Sequence, residues 1–188
     1  KYYRATIAYL LSHTNIIVHY VTSDPADQVF EVAKTQPRIR PYYIGEKKLI
    51  TLFMKMDADM VIMTMPDLQN FHIKRSYVRK DVEYVYVPHG LDSLNLTMRT
   101  GSVDHYDAVL CVGPNQKEEI KKTEEVYNLP PKKLVECGYM LLDDMRAGFS
   151  EKADCPEQPV ILIAPSWQEA NIMDSCIDEL LTSLRRTG

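Results

Sequence analysis

The chain has 188 residues, 45% hydrophobic and 26% charged, with a formal net charge of −4 and a pI near 5.7. These values exclude a disordered polymer and argue against a general nucleic-acid binder, and no apolar run reaches the length of a membrane span. The cysteines, Cys111, Cys137, Cys155 and Cys176, form no CxxC pair and the histidines are scattered, so a reducing compartment and no zinc site are expected.

In chain order, Tyr2 to Leu11 carries apolar residues at 3, 7, 10 and 11, the spacing of an amphipathic helix. Asn15 to Val21 predicts the first strand. Thr22-Ser23-Asp24-Pro25 then opens a helix through about Lys34, with Ser23 or Asp24 as cap and Pro25 in the first turn. Pro41 to Gly45 reads as a short strand and Glu46 to Met56 as a helix. Met60 to Met65 is apolar without alternation, which predicts burial on both faces and therefore a parallel sheet. Its methionines are core filling rather than a metal box. Phe71 to Asp81 is the most basic segment, with His72, Lys74, Arg75, Arg79 and Lys80. Such a run is accounted for by a solvated face; the alternative is a phosphate-attracting rim beside the site described next.

Glu83 to Gly90, Glu-Tyr-Val-Tyr-Val-Pro-His-Gly, organises the rest. It reads as a buried strand that Pro88 stops, delivering His89 and Gly90 to the carboxyl end, where open α/β sheets bind ligands. Spacing alone favours an imidazole hydrogen-bonded within a βα turn; the alternative is a general acid or base. Leu91 to Thr100 reads as helix or irregular lid, with polar residues lining the cleft that His89 enters. Ala108 to Val112 is a strand, Gln116 to Tyr127 a Lys/Glu-rich scaffold helix, Lys133 to Cys137 a strand and Leu141 to Arg146 a helix. From Ala147 to Pro159 the composition shifts to that of a linker. Val160 to Ala164 is then an apolar strand ending at Pro165-Ser166-Trp167, and Ile172 to Arg185 a helix. The βαβα order predicts a Rossmann-like parallel sheet with helices on both faces. Neither GxGxxG nor GxxxxGK[ST] occurs, so the usual dinucleotide and triphosphate cradles are missing.

Several of these stretches resemble one family. Tyr84 to Gly90, Asp104 to Gly113, Asn115 with its Lys/Glu helix, Glu136-Cys137-Gly138-Tyr139 with Leu142-Asp143, and Ile161 to Trp167 are similar to the CDP-glycerol:poly(glycerol phosphate) glycerophosphotransferases, the teichoic-acid polymerases and primases of bacteria. The resemblance covers most of the chain from about Asn15. It implies a GT-B architecture, with residues 1–150 as a Rossmann-like acceptor-side domain, 151–159 as linker and 160–188 as the first βα unit of an incomplete donor-side domain. It implies that His89 is the base that activates an acceptor hydroxyl for attack on the β-phosphorus of CDP-glycerol. Gly90, Ser93, Asn70, Arg75, Arg99, Ser166 and Trp167 are the expected substrate-binding residues. No cofactor or metal is implied. CDP-glycerol is held mainly by a donor domain outside this chain, so the chain alone is expected to be inactive. The acceptor is a polyol phosphate or a lipid-linked polyol phosphate. The expected location is cytoplasmic, with peripheral contact at the inner membrane leaflet through a local patch such as Lys74 to Lys80.

Two departures are visible. Pro88 stands where the family carries Trp or a similar residue, and Leu91-Asp92-Ser93-Leu94 replaces a Thr-Pro-Leu-Lys type run. Acceptor identity therefore stays open, as do two other readings: a different GT-B sugar-nucleotide enzyme (a glycosyltransferase or 2-epimerase-like protein), and a non-catalytic α/β binding module.

Overall fold

The computed structural model describes residues 3–148, 160–165 and 169–187. Two compact units divide the chain, residues 1–149 and 150–188. In the first, helix α1 (Arg4–His13), strand β1 (Val18–Thr22), helix α2 (Val29–Thr35) and strand β2 (Ile39–Tyr43) precede helix α3 (Glu46–Met54). Then come β3 (Met60–Met63), β4 (Glu83–Tyr86), α4 (Leu94–Thr97), β5 (Ala108–Cys111), α5 (Pro114–Tyr127), β6 (Lys133–Glu136) and α6 (Met140–Ala147). Strands β3 to β6 form a parallel sheet in the order β3-β4-β5-β6, flanked by helices, and the architecture is Rossmann-like α/β.

β4 is the centre of this sheet because both of its faces are apolar. Tyr84 and Tyr86 are fully buried on one face, packed with Met63, Val109, Phe53 of α3 and Ile120 of α5. Val85, of the intervening register, is buried as well. Each such side chain contributes roughly 1.5–3 kcal/mol through area removed from water. Pairing runs Met60 opposite Glu83 to Met63 opposite Tyr86, and Val85 opposite Ala108. Beyond Tyr86 one more ladder bond survives, from the Val87 N–H to the Met63 carbonyl at 2.9 Å, before Pro88 removes the next donor.

The structure departs from the sequence expectations at two places in this unit, and it resolves a third that the sequence leaves open. β1 and β2 form their own parallel pair, Val18 opposite Ile39, instead of extending the larger sheet. Helix α2 starts at Val29, four residues after Pro25, because the Asp24 and Asp27 carboxylates accept from the Ala26 and Val29 N–H groups at 2.8 and 2.9 Å and hold the intervening backbone in turns. Residues 91–100 contain only one helical turn, α4.

In the second unit the described residues form α7 (Ile172–Ser175), capped by the Asn171 side chain, and α8 (Ile177–Thr187). The strand expected over Val160 to Ala164 is not formed: residues 160–165 carry no ladder, and Val160, Ile161 and Leu162 are 79%, 60% and 86% exposed. Apolar β-branched residues supply only the propensity, and a strand exists through its neighbour, which no described segment provides. The linker 151–159 lies outside the described residues. No helix among the described residues is long and apolar enough to cross a membrane.

Candidate functional site at the carboxyl edge of the sheet

Pro88 is buried, whereas His89 is exposed beyond it at the carboxyl end of β4. The turn is fixed from the far side of the sheet. The Tyr139 hydroxyl donates to the His89 carbonyl at 2.8 Å, across 50 residues of sequence. Tyr139 reaches that point because Cys137, just past the end of β6, is tied by its N–H to the Cys111 carbonyl, and Gly138 follows at φ +73°, a left-handed conformation that costs glycine little. The glycine of the His89 turn, Gly90, lies against the Asp92 side chain. A Cβ there would stand 2.6 Å from the Asp92 carboxylate, which folds back over the turn. Ser93 continues the same loop, its carbonyl accepting from the Thr97 hydroxyl at 2.8 Å and from two N–H groups of α4.

Behind the turn lies a set of buried phenols. Burial pushes the Tyr86 hydroxyl well above its ordinary range, with the Asp92 charge adding to the effect, and burial does the same to Tyr106. Both therefore stay protonated donors at neutral pH: Tyr106 donates to the Met65 carbonyl, and Tyr86 to the Met98 sulfur at 3.5 Å. The loop after β3 is wound tightly beside them, with Asp67 and Gln69 at φ 66° and 69°. Such left-handed positions in non-glycine residues are uncommon and are held by the surrounding bonds.

Asn70 and Arg99 come together. The Asn70 amide donates to the Gly101 carbonyl at 2.9 Å, and the Arg99 guanidinium lies 4.9 Å from the centre of the neighbouring Phe71 ring. Arg75 is elsewhere. Its guanidinium donates to the Val82 and His105 carbonyls, pairs with Asp107 at 2.9 Å and covers the Tyr84 ring at 4.5 Å. Val82 and Asp107 immediately precede β4 and β5, so this cluster sits at the amino edge, the opposite end of the strands from His89. Arg79 sits there too, paired with Asp57, Asp59 and Asp81. Arg75 and Arg79 are thus committed to ion pairs at the amino edge, while the Lys74 and Lys80 ammonium groups donate to the Gln69 and Ser76 carbonyls at 2.6 and 3.2 Å. Ser166 and Trp167 lie outside the described residues.

A cleft of about 170 Å³ opens at the amino edge between Gln69, Arg75, Arg79 and Tyr84, and one of about 340 Å³ between α4 and α5, lined by Leu94, Met98, Arg99, Glu119 and Lys132. Neither is lined by His89. Among the described residues no group of three or more His, Cys, Asp or Glu side chains is arranged to hold a metal ion.

Sequence reasoning missed Tyr139 and Asp92 as partners of the His89 turn. No local signal marks Tyr139, since its role depends on β6 lying two strands from β4. Asp92 had a signal in its spacing, two residues after the glycine. Chemically, the edge offers an exposed imidazole on a backbone whose carbonyl Tyr139 holds, with protonated phenols behind the turn and one carboxylate beside it. Compared with family models, curated proteins and solved structures, the chain matches none.

Proposed function

We propose that this chain is the acceptor-side portion of a glycerophosphotransferase that moves glycerol phosphate from CDP-glycerol to a polyol-phosphate or lipid-linked acceptor, in the synthesis of a bacterial cell-wall or surface polymer at the inner face of the membrane. The observation that carries this reading is the position of His89: solvent-exposed at the carboxyl end of a central parallel strand, its carbonyl clamped by Tyr139. An alcohol is a poor nucleophile until its proton is taken in the transition state. His89 accepts that proton as the acceptor oxygen bonds to the β-phosphorus, the P–O bond to the α-phosphate bridge breaks, and CMP leaves with its electron pair. The donor is held by groups that the family resemblance places outside this chain.

In the complete protein, supplied with CDP-glycerol and a lipid-linked acceptor, His89→Ala is expected to lower transfer by roughly 10²–10⁴, the range of general-base catalysis. Undiminished transfer ends the proposal. One observation favours a second reading, a binding module in which His89 is structural: neither cleft reaches it. That reading gains if His89→Ala instead lowers the melting temperature and leaves transfer intact.

A further inference from the structure

The carboxyl edge carries a second feature one strand away from His89. Helix α5 follows β5 through Val112 and Gly113, and its amino terminus is uncapped: Gly113 contributes no side chain, Pro114 occupies the first position and no acidic residue stands in the first turn. The backbone N–H groups of Asn115 and Gln116 meet no acceptor among the described residues. Space beside Gly113 is open, with no atom within 4 Å of where a Cβ would stand.

Gln116 adds an independent observation. It is 3% exposed, and its side chain reaches back over the helix terminus so that Oε1 accepts from the Val112 N–H at 3.1 Å. The other arm of the same amide, Nε2, is buried and has no partner. A native fold rarely leaves such a donor unmatched. The terminus therefore presents two free backbone donors, the positive end of a helix dipole and an amide whose own positive end is unneutralised. The carboxylate nearest along the neighbouring strand, Glu136, is already paired with Lys117 at 2.9 Å.

We infer that the amino terminus of α5, with the Gln116 amide, is a phosphate-binding subsite. β4, which leads to His89, pairs with β5, which leads through Val112 and Gly113 into α5, so the two features follow the carboxyl ends of adjacent strands. The transferase reading is needed only to say what carries that phosphate, acceptor or donor; the anion site itself does not depend on it.

The test is an amide chemical-shift titration of the 188-residue chain with inorganic phosphate, ionic strength held constant with chloride. Saturable shifts are expected at Asn115 and Gln116. Gln116→Glu keeps an acceptor for Val112 and places a favourable charge at the helix terminus, so folding is retained while phosphate binding falls at least tenfold. Asn115→Asp, at an exposed position, puts the same charge in the first turn and is expected to weaken binding too. Displacement of phosphate from these amides by glycerol 3-phosphate assigns the acceptor, and displacement by CDP-glycerol the donor. Absence of saturable shifts, or a Gln116→Glu chain that binds less than tenfold more weakly, overturns the subsite. Loss of the subsite with His89→Ala still inactive removes this inference alone, and a confirmed subsite with His89→Ala fully active removes the transferase alone.

Discussion

The two ends of the parallel sheet are built on opposite plans. At the amino edge every strand of the β3-β4-β5 core is entered from an aspartate, Asp59, Asp81 or Asp107, and Arg75 and Arg79 tie these carboxylates together. At the carboxyl edge an imidazole is exposed, a helix terminus is uncapped and a buried amide donor is unmatched. Stability is concentrated where charges are neutralised, and the capacity to bind is left where polar groups are unmet. A uniformly satisfied sheet would fold at least as well and have nothing to offer a ligand.

Substitutions can break this contrast, and the largest effect belongs to its structural end. Tyr84 is fully buried, takes the Ser76 N–H on its hydroxyl at 2.9 Å and stacks under Arg75. Tyr84→Ala is expected to cost about 4 kcal/mol by denaturant unfolding, from lost packing plus an orphaned N–H. Arg75→Met comes next, at about 2 kcal/mol, because it strips bonds from the Val82 and His105 carbonyls and leaves Asp107 without its cation. By contrast His89→Ala, at an exposed position, is expected to shift stability by less than about 0.5 kcal/mol. If it destabilises as much as Arg75→Met, the two edges are not distinct.

Tyr139→Phe sharpens the comparison at the other end. It removes one hydrogen bond to the His89 carbonyl, expected to cost about 1 kcal/mol in stability. Transfer in the complete protein should fall with it, by less than for His89→Ala. The smallest effect is acidic. Hydrogen bonds from Arg79 hold the Asp81 carboxyl below its usual range. A depressed folded-state value stabilises the protein above the ordinary aspartate range and loses that stabilisation as pH falls through the depressed value. Arg79→Ala is expected to lower stability slightly at neutral pH, the loss being small because the pair is solvent-screened, and to flatten the acid limb so that the variant and the parent converge at low pH.

What the sequence disclosed follows from how local each cause is. The unalternating Met60 to Met63 run and the Tyr84 to Val87 run announced parallel strands, but only the second is buried throughout: β3 is the edge strand of its sheet, with Met60 exposed and Met63 alone buried, and Pro88 announced where β4 would stop and hand over His89. Arg75 could be read only as basic, since its partner is Asp107, thirty-two residues on, and only the sheet reveals which edge they share. The same holds for Tyr139 and for the idle Gln116 amide. Val160 to Ala164 shows the converse failure: composition suited to a strand, with no described neighbour to pair with.

One detail of the His89 turn makes a chemical handle. Because the group nearest a methyl at position 90 is the end of the Asp92 side chain rather than backbone, alanine there would swing a carboxylate aside and leave the imidazole in place. The local field at the mouth of the sheet can thus be retuned by a single uncharged atom, without adding or removing an ionisable group.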